Sequence, residues 1–199
     1  MPERDSPAET SLRQRLDAHL RASPTLMHVL QVLRVLALPD WRVGSGAVYQ
    51  TVWNAITGRE PDYGIRDYDV LYFDPDTSWD AEDVFIRRVA VAYAPALAAS
   101  VEVRNQARVH LWFEGRYGEP YAPLAGTDES FGRFVAPAFA VGVRLEADGR
   151  LDIIAPFGLE DCFAMRVRPN PALARRPATY QAALDKVMAR WPELTAEMG

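Results

Sequence analysis

The stretch Arg42 to Phe73, RVGSGAVYQTVWNAITGREPDYGIRDYDVLYF, decides how the rest of the chain is read. It runs from a short apolar lead-in through a glycine turn, Gly44-Ser45-Gly46, into a helical segment, a turn-rich loop, and then a strand carrying Asp67 and Asp69. Successive side chains of a strand point to opposite faces, so these two acids project the same way, roughly 6.5 Å apart. Tyr68, Val70 and Tyr72 then face a core, and the two carboxylates converge on one point in a cleft. Hard divalent cations such as Mg²⁺ favour oxygen ligands of this kind. A glycine turn that opens a helix adds unpaired backbone N–H groups and a partial positive charge, both suited to phosphate. Phosphate cradle and metal acids together point to phosphoryl or nucleotidyl chemistry.

Bulk properties narrow the field. The 199 residues, 49% hydrophobic and 25% charged, suffice to bury one core, and a single domain over residues 11–199 is expected after a charged, proline-containing, mobile lead at 1–10. A net charge of −5 supplies no basic field, which disfavours long nucleic acid as a partner. All but one of the 22 basic residues are arginine; the exception is Lys186, so a P-loop lysine is missing. Cys162 is the lone cysteine, which excludes an internal disulfide and fits a cytoplasmic location. No apolar run reaches membrane-spanning length, and the first residues lack the apolar core of a secretory signal.

Outward from the central stretch, Leu12, Leu16, His19 and Leu20 recur at helical spacing, and Ser23-Pro24 starts a second, more apolar helix that ends before Pro39. Trp41 to Val43 reads as a short strand. Gly58 closes the helix that follows the glycine turn, and Ser78 caps another, Trp79 to Tyr93, with Val84, Phe85, Val89 and Ala92 on its inner side. Ser100 to Arg104 alternates as a half-buried strand, and Asn105 to Glu119 reads as a short helix and loop. Phe139 to Leu145 and Leu151 to Ile154 form a β-hairpin around Ala147-Asp148-Gly149. A strand at Ala164 to Arg168 and a closing helix from Pro177 to Trp191-Pro192 complete an α/β (α+β) chain: a mixed sheet flanked by helices, with a C-terminal hairpin and helix.

The chemistry-bearing candidates cluster around this frame. Glu102 alternates in the strand after the Asp67–Asp69 strand, placed either to join the same metal and take a proton from an attacking hydroxyl, or to pair with an arginine at the surface. Arg104, Asn105, Gln106 and Arg108 can grip a triphosphate or a base, because arginine forks match phosphate oxygens and amides match base edges. His110, beside Leu111 and Trp112, reads more readily as a core residue than as a ligand, and Cys162 as buried and inert. The chain has no HExxH, GxSxG or GxGxxG, so zinc protease, α/β-hydrolase and dinucleotide readings lack their motifs.

At these residues the chain resembles the nucleotidyltransferase superfamily, whose pattern is glycine followed by glycine or serine, a helix, and a strand with Asp-x-Asp. More narrowly it is similar to a bacterial nucleotidyltransferase-like family of unknown specificity, through Val52-Trp53-Asn54, Asp67 to Asp74, Asn105 to His110, Ala155 to Phe163 and Arg168 to Pro171. The resemblance implies Mg²⁺ or Mn²⁺ on Asp67, Asp69 and Glu102, phosphate held by Gly44 and Ser45, and transfer of an NMP group from an NTP to a hydroxyl acceptor. The interval from Ser45 to Asp67 is longer than that pattern usually shows, which marks residues 58–66 as an insertion and leaves Gly44 and Gly46 both open as the functional glycine. Two rival readings share the fold: a catalytically inactive nucleotide sensor, and a partner-binding module with no affinity for nucleotide.

Overall fold

Two serine-proline pairs set the N-terminal layer. Ser6 accepts a hydrogen bond from the Glu9 N–H at 3.2 Å and starts α1 (Pro7–Arg21); Ser23 accepts one from the Leu26 N–H at 3.3 Å and starts α2 (Pro24–Leu36). The structure, a computed structural model, describes residues 6–173 and 178–197. Residues 7–10, assigned from composition to the mobile lead, therefore begin a helix, because the cap and the proline at its first position nucleate it. Its Glu9 also accepts from the Leu159 N–H at 3.1 Å, tying the helix start to the C-terminal half.

The remaining described α-helices and strands are β1 (Arg42–Gly44), α3 (Gly46–Ile56), β2 (Tyr68–Tyr72), α4 (Trp79–Ala90), α5 (Pro95–Ala98), β3 (Val101–Asn105), α6 (Val109–Tyr117), α7 (Thr127–Phe131), β4 (Gly142–Leu145), β5 (Leu151–Ile154), α8 (Glu160–Phe163), β6 (Arg166–Val167), α9 (Ala178–Met188) and β7 (Thr195–Ala196), with short 3-10 turns at Gln106–Arg108 and Pro137–Phe139. Five strands make one mixed sheet in the order β3-β2-β1-β4-β5, and β6 and β7 pair in parallel as a small second sheet. Within the large sheet only β2 and β3 run parallel, joined by the α4–α5 crossover; β1 is antiparallel to both β2 and β4. The hairpin of β4 and β5 forms where the Asp148-Gly149 turn places it, Gly149 adopting a φ of 84°. The closing helix is described from Ala178; its expected start at Pro177 lies outside the described residues.

The central helix α3 is buried from Gly46 to Asn54, which explains its nearly continuous apolar sequence. Trp53 meets Trp191 edge to face at 5.6 Å, and Asn54 accepts from the Trp191 indole N–H at 3.0 Å. The other end of the Asn54 amide donates to the Pro61 and Tyr63 carbonyls at 3.0 and 2.8 Å, so it fixes the loop leading to Asp67. In α4 the inward stripe is Glu82, Phe85, Ile86 and Val89 at helical spacing; Val84 lies off that stripe and is exposed, contrary to its assignment to the inner side. No helix among the described residues is long and apolar enough to cross a membrane.

Candidate active site

Alternation along β2 works as its sequence demands. Tyr68, Val70 and Tyr72 are buried, while Asp69 is half-buried on the other face and Asp67, one residue before the strand, is exposed. Antiparallel pairing puts Gly44 opposite Asp69, so the end of β1 and the turn after it lie beside the acids. A β-carbon built on Gly46 would stand 3.9 Å from Asp67 Oδ1. The Ser45 side chain lies close enough to Asp69 to favour its charged form. Parallel pairing of β2 with β3 sets Glu102 directly alongside Asp69.

Ser45 adopts a φ of 59° and a ψ of −137°, a conformation that strains an L-residue by an energy on the order of 1–3 kcal/mol. Its side chain makes no cap to α3; its carbonyl accepts from the Val48 N–H at 3.0 Å, and the Gly46 and Ala47 N–H groups at the first two helical positions have no intrahelical partner. Ser45, Gly46, Asp67, Asp69, Glu102 and Arg104 border one cleft of about 780 Å³. That volume is in the range of small-molecule sites.

Electrostatics inside the cleft are unbalanced. Burial, then the charges of Asp67 and Glu102, push the Asp69 carboxyl from its usual 3.8 up to about 7, with the Ser45 hydroxyl and Arg104 pulling the other way. A guanidinium nitrogen of Arg104 lies 3.6 Å from Glu102, both side chains being about half exposed. Burial likewise raises the Tyr49 hydroxyl to about 12, with the charges of Asp69 and Asp67 adding to the rise and that of Arg190 opposing it.

Three of the anticipated nucleotide contacts have other tasks. Asn105 is buried and spends its amide on the Asp74 N–H, the Asp74 and Asp76 carbonyls and the Ala107 N–H, so it shapes the turn and does not line the cleft. Arg108 is buried against Glu82 at 3.1 Å, its guanidinium 4.1 Å from the Trp79 ring, and also lies outside the cleft. Glu82 holds this corner because its other oxygen accepts from the Asn105 N–H at 2.9 Å. Gly44 is packed inside the sheet, where a β-carbon would come within 2.8 Å of the Phe131 ring; its small size serves strand packing, and the glycine facing the cleft is Gly46. Gln106 does line the cleft. Cys162 is buried, its thiol pushed up to about 12, and the Nδ1 of half-buried His110 has no hydrogen-bond partner among the described residues.

Some cleft residues escaped sequence reasoning. Gln50 sits one turn after Gly46, is 7% exposed, and leaves its Oε1 without a partner while its Nε2 lies 3.4 Å from the Tyr49 hydroxyl. Its four-residue spacing from Gly46 on a helix was the available signal. Lys186 on α9 and Arg190 just past its end also line the cleft, far away in sequence, with no local mark to announce them.

A solved structure, described as an NMR structure revealing a CCA-adding enzyme head domain, is similar to this chain with a TM-score of 0.78 and 26% identity over 94% of this chain and 96% of its own. No curated protein matches the chain. A family model described as nucleotidyltransferase matches residues 31–196, which take in the glycine turn, both aspartates and the hairpin, and the chain belongs to that nucleotidyltransferase family.

Proposed function

We propose that the protein is an active nucleotidyltransferase that moves an NMP group from an NTP to a small hydroxyl acceptor, with Asp67 and Asp69 holding a divalent cation. The observation that carries this reading is the meeting of both carboxylates with the Ser45-Gly46 turn in one cleft. Among the described residues no three acidic, histidine or cysteine side chains stand close enough to enclose a cation by themselves. Mg²⁺ is nevertheless suited to the place, since it commonly takes one or two carboxylates and completes its shell with waters and substrate phosphates. The raised Asp69 carboxyl, crowded by two acids, is the signature of a carboxylate that a cation would relieve. Mg²⁺ or Mn²⁺ bound there supplies neutralisation of the triphosphate and of charge developing at the α-phosphate.

The chain's own groups do the rest. The N–H groups after Ser45 and the cations Lys186 and Arg190 receive the triphosphate. Glu102 accepts the proton of the acceptor hydroxyl as its oxygen bonds to the α-phosphorus; the bond from that phosphorus to the bridging oxygen breaks and pyrophosphate leaves. Positioning and charge neutralisation account for most of the rate. The relative's description names CCA addition, but a net charge of −5 supports a small acceptor for this chain in preference to a long polyanion.

The test is pyrophosphate release from each NTP by purified protein with and without Mg²⁺, alongside Asp67→Asn and Asp69→Asn. Loss of about 10²-fold or more in either variant is expected. Release that persists in Asp69→Asn refutes the mechanism, and tight NTP binding with no turnover under any condition identifies a nucleotide sensor.

A further inference from the structure

The cleft has a second wall, and its composition is unlike the acid end. Trp112 and Phe113 on α6, Tyr117 at its end and Tyr121 beyond it all line the cleft. They pack on one another, with ring centroids 6.0 Å apart for Trp112 and Phe113, 4.8 Å for Phe113 and Tyr117, and 4.6 Å for Phe113 and Tyr121. The Arg133 guanidinium lies 5.7 Å from the Tyr121 ring and also lines the cleft. None of the four rings belongs to the hydrophobic core, and Trp112 and Tyr117 remain 38% and 37% exposed. Aromatic surface left in water inside a cleft is costly unless a ligand covers it.

Chain order ties this wall to one end of the site. Glu102, Arg104, Gln106, Val109, Trp112 and Phe113 all line the cleft and follow one another along the β3–α6 segment, so the aromatic wall belongs to the same stretch of chain as the acid assigned to the acceptor hydroxyl. The phosphate-receiving groups come from other parts of the fold: Ser45 and Gly46 open α3 after β1, two strands in from the β3 edge that leads to α6, and Lys186 and Arg190 come from the C-terminal segment. An NTP whose triphosphate lies along α3 and α9 leaves the α6 side to the second substrate.

We propose that this wall is the acceptor subsite and that the acceptor is a small hydroxyl compound carrying a planar aromatic or heteroaromatic ring, stacked on Trp112 and Tyr117. The proposal rests on the nucleotidyltransferase reading above, and the two fail separately. Flat rings gain from offset or edge-on contact with aromatic side chains, and such stacking tolerates differences in ring substituents.

The experiment measures transfer from α-labelled NTP to two sets of probes: tyrosine, pyridoxine and adenosine as ring-bearing hydroxyl compounds, glycerol and ribitol as ringless ones. Wild type is expected to label at least one ring compound and neither polyol. Trp112→Leu and Tyr117→Leu each raise the KM for that compound about 10-fold, whereas Trp112→Phe, which keeps a ring, stays within about threefold. Calorimetric binding of NTP with Mg²⁺ stays within twofold of wild type in all three variants. Both leucine variants fold, as checked by melting temperature, because their sites lie outside the core. Labelling of polyols as readily as rings, labelling of no ring compound, or an unchanged KM in the leucine variants overturns the proposal. So does a variant effect confined to NTP binding, which would make the wall a nucleobase site. Absence of Mg²⁺-dependent NTP binding in wild type sinks the underlying reading as well.

Discussion

Replacing Asp69 with asparagine is expected to abolish activity and to stabilise the metal-free protein above neutral pH. Its carboxyl titrates at about 7 in the folded chain, against 3.8 normally, because burial and then Asp67 and Glu102 disfavour its charge. Between those values the folded state holds a proton that the unfolded state has released, so stability falls as pH rises through this window. The full displacement corresponds to about 4 kcal/mol, of which about 2–3 kcal/mol falls between pH 5 and pH 8. Water reaches a half-buried carboxyl, which brings the expected figure to about 2 kcal/mol. Asparagine carries no charge, so the variant loses this part of the pH slope. At pH 8 it should melt roughly 4–8 °C above wild type, with the gap shrinking at pH 5. Adding Mg²⁺ should raise the melting temperature of wild type and leave the variant unmoved, since binding to the folded state alone stabilises it. Melts of both proteins at the two pH values, with EDTA or with Mg²⁺, read all of this. Equal pH slopes in the two proteins would show that the acids do not crowd one another as the geometry requires.

Other outcomes follow from the packing. Arg108→Met should cost about 3–5 kcal/mol in urea melts because it strands the buried Glu82 carboxylate, while the KM for NTP of the folded fraction stays within twofold. A large rise in that KM would restore Arg108 to the nucleotide site. Asn54→Ala removes the partner of the Trp191 indole and of two loop carbonyls, and a loss of about 2–4 kcal/mol is expected, together with weaker activity as the loop before Asp67 loosens. Gly142→Ala would drive a β-carbon into the Phe131 ring, costing about 1–3 kcal/mol. Adding Phe131→Leu should recover part of that loss, and no recovery would place the strain elsewhere.

Local sequence determined the elements and the two acids. The serine-proline caps, the alternation around Tyr68, Val70 and Tyr72, and the Asp148-Gly149 hairpin each rest on contacts within a few residues, which a linear reading captures. Tertiary structure alone decided which polar residues face the cleft. Asn105, Gln106 and Arg108 are close together in one short segment, yet Gln106 lines the cleft while Asn105 and Arg108 turn toward Asp74 and Glu82. A turn redirects consecutive side chains by large angles, so their destinations depend on partners more than twenty residues away. The same reason hid Lys186, Arg190 and the aromatic wall: each owes its place in the cleft to how distant segments pack on the sheet, which no local periodicity encodes, whereas Gln50 stood at helical spacing from Gly46.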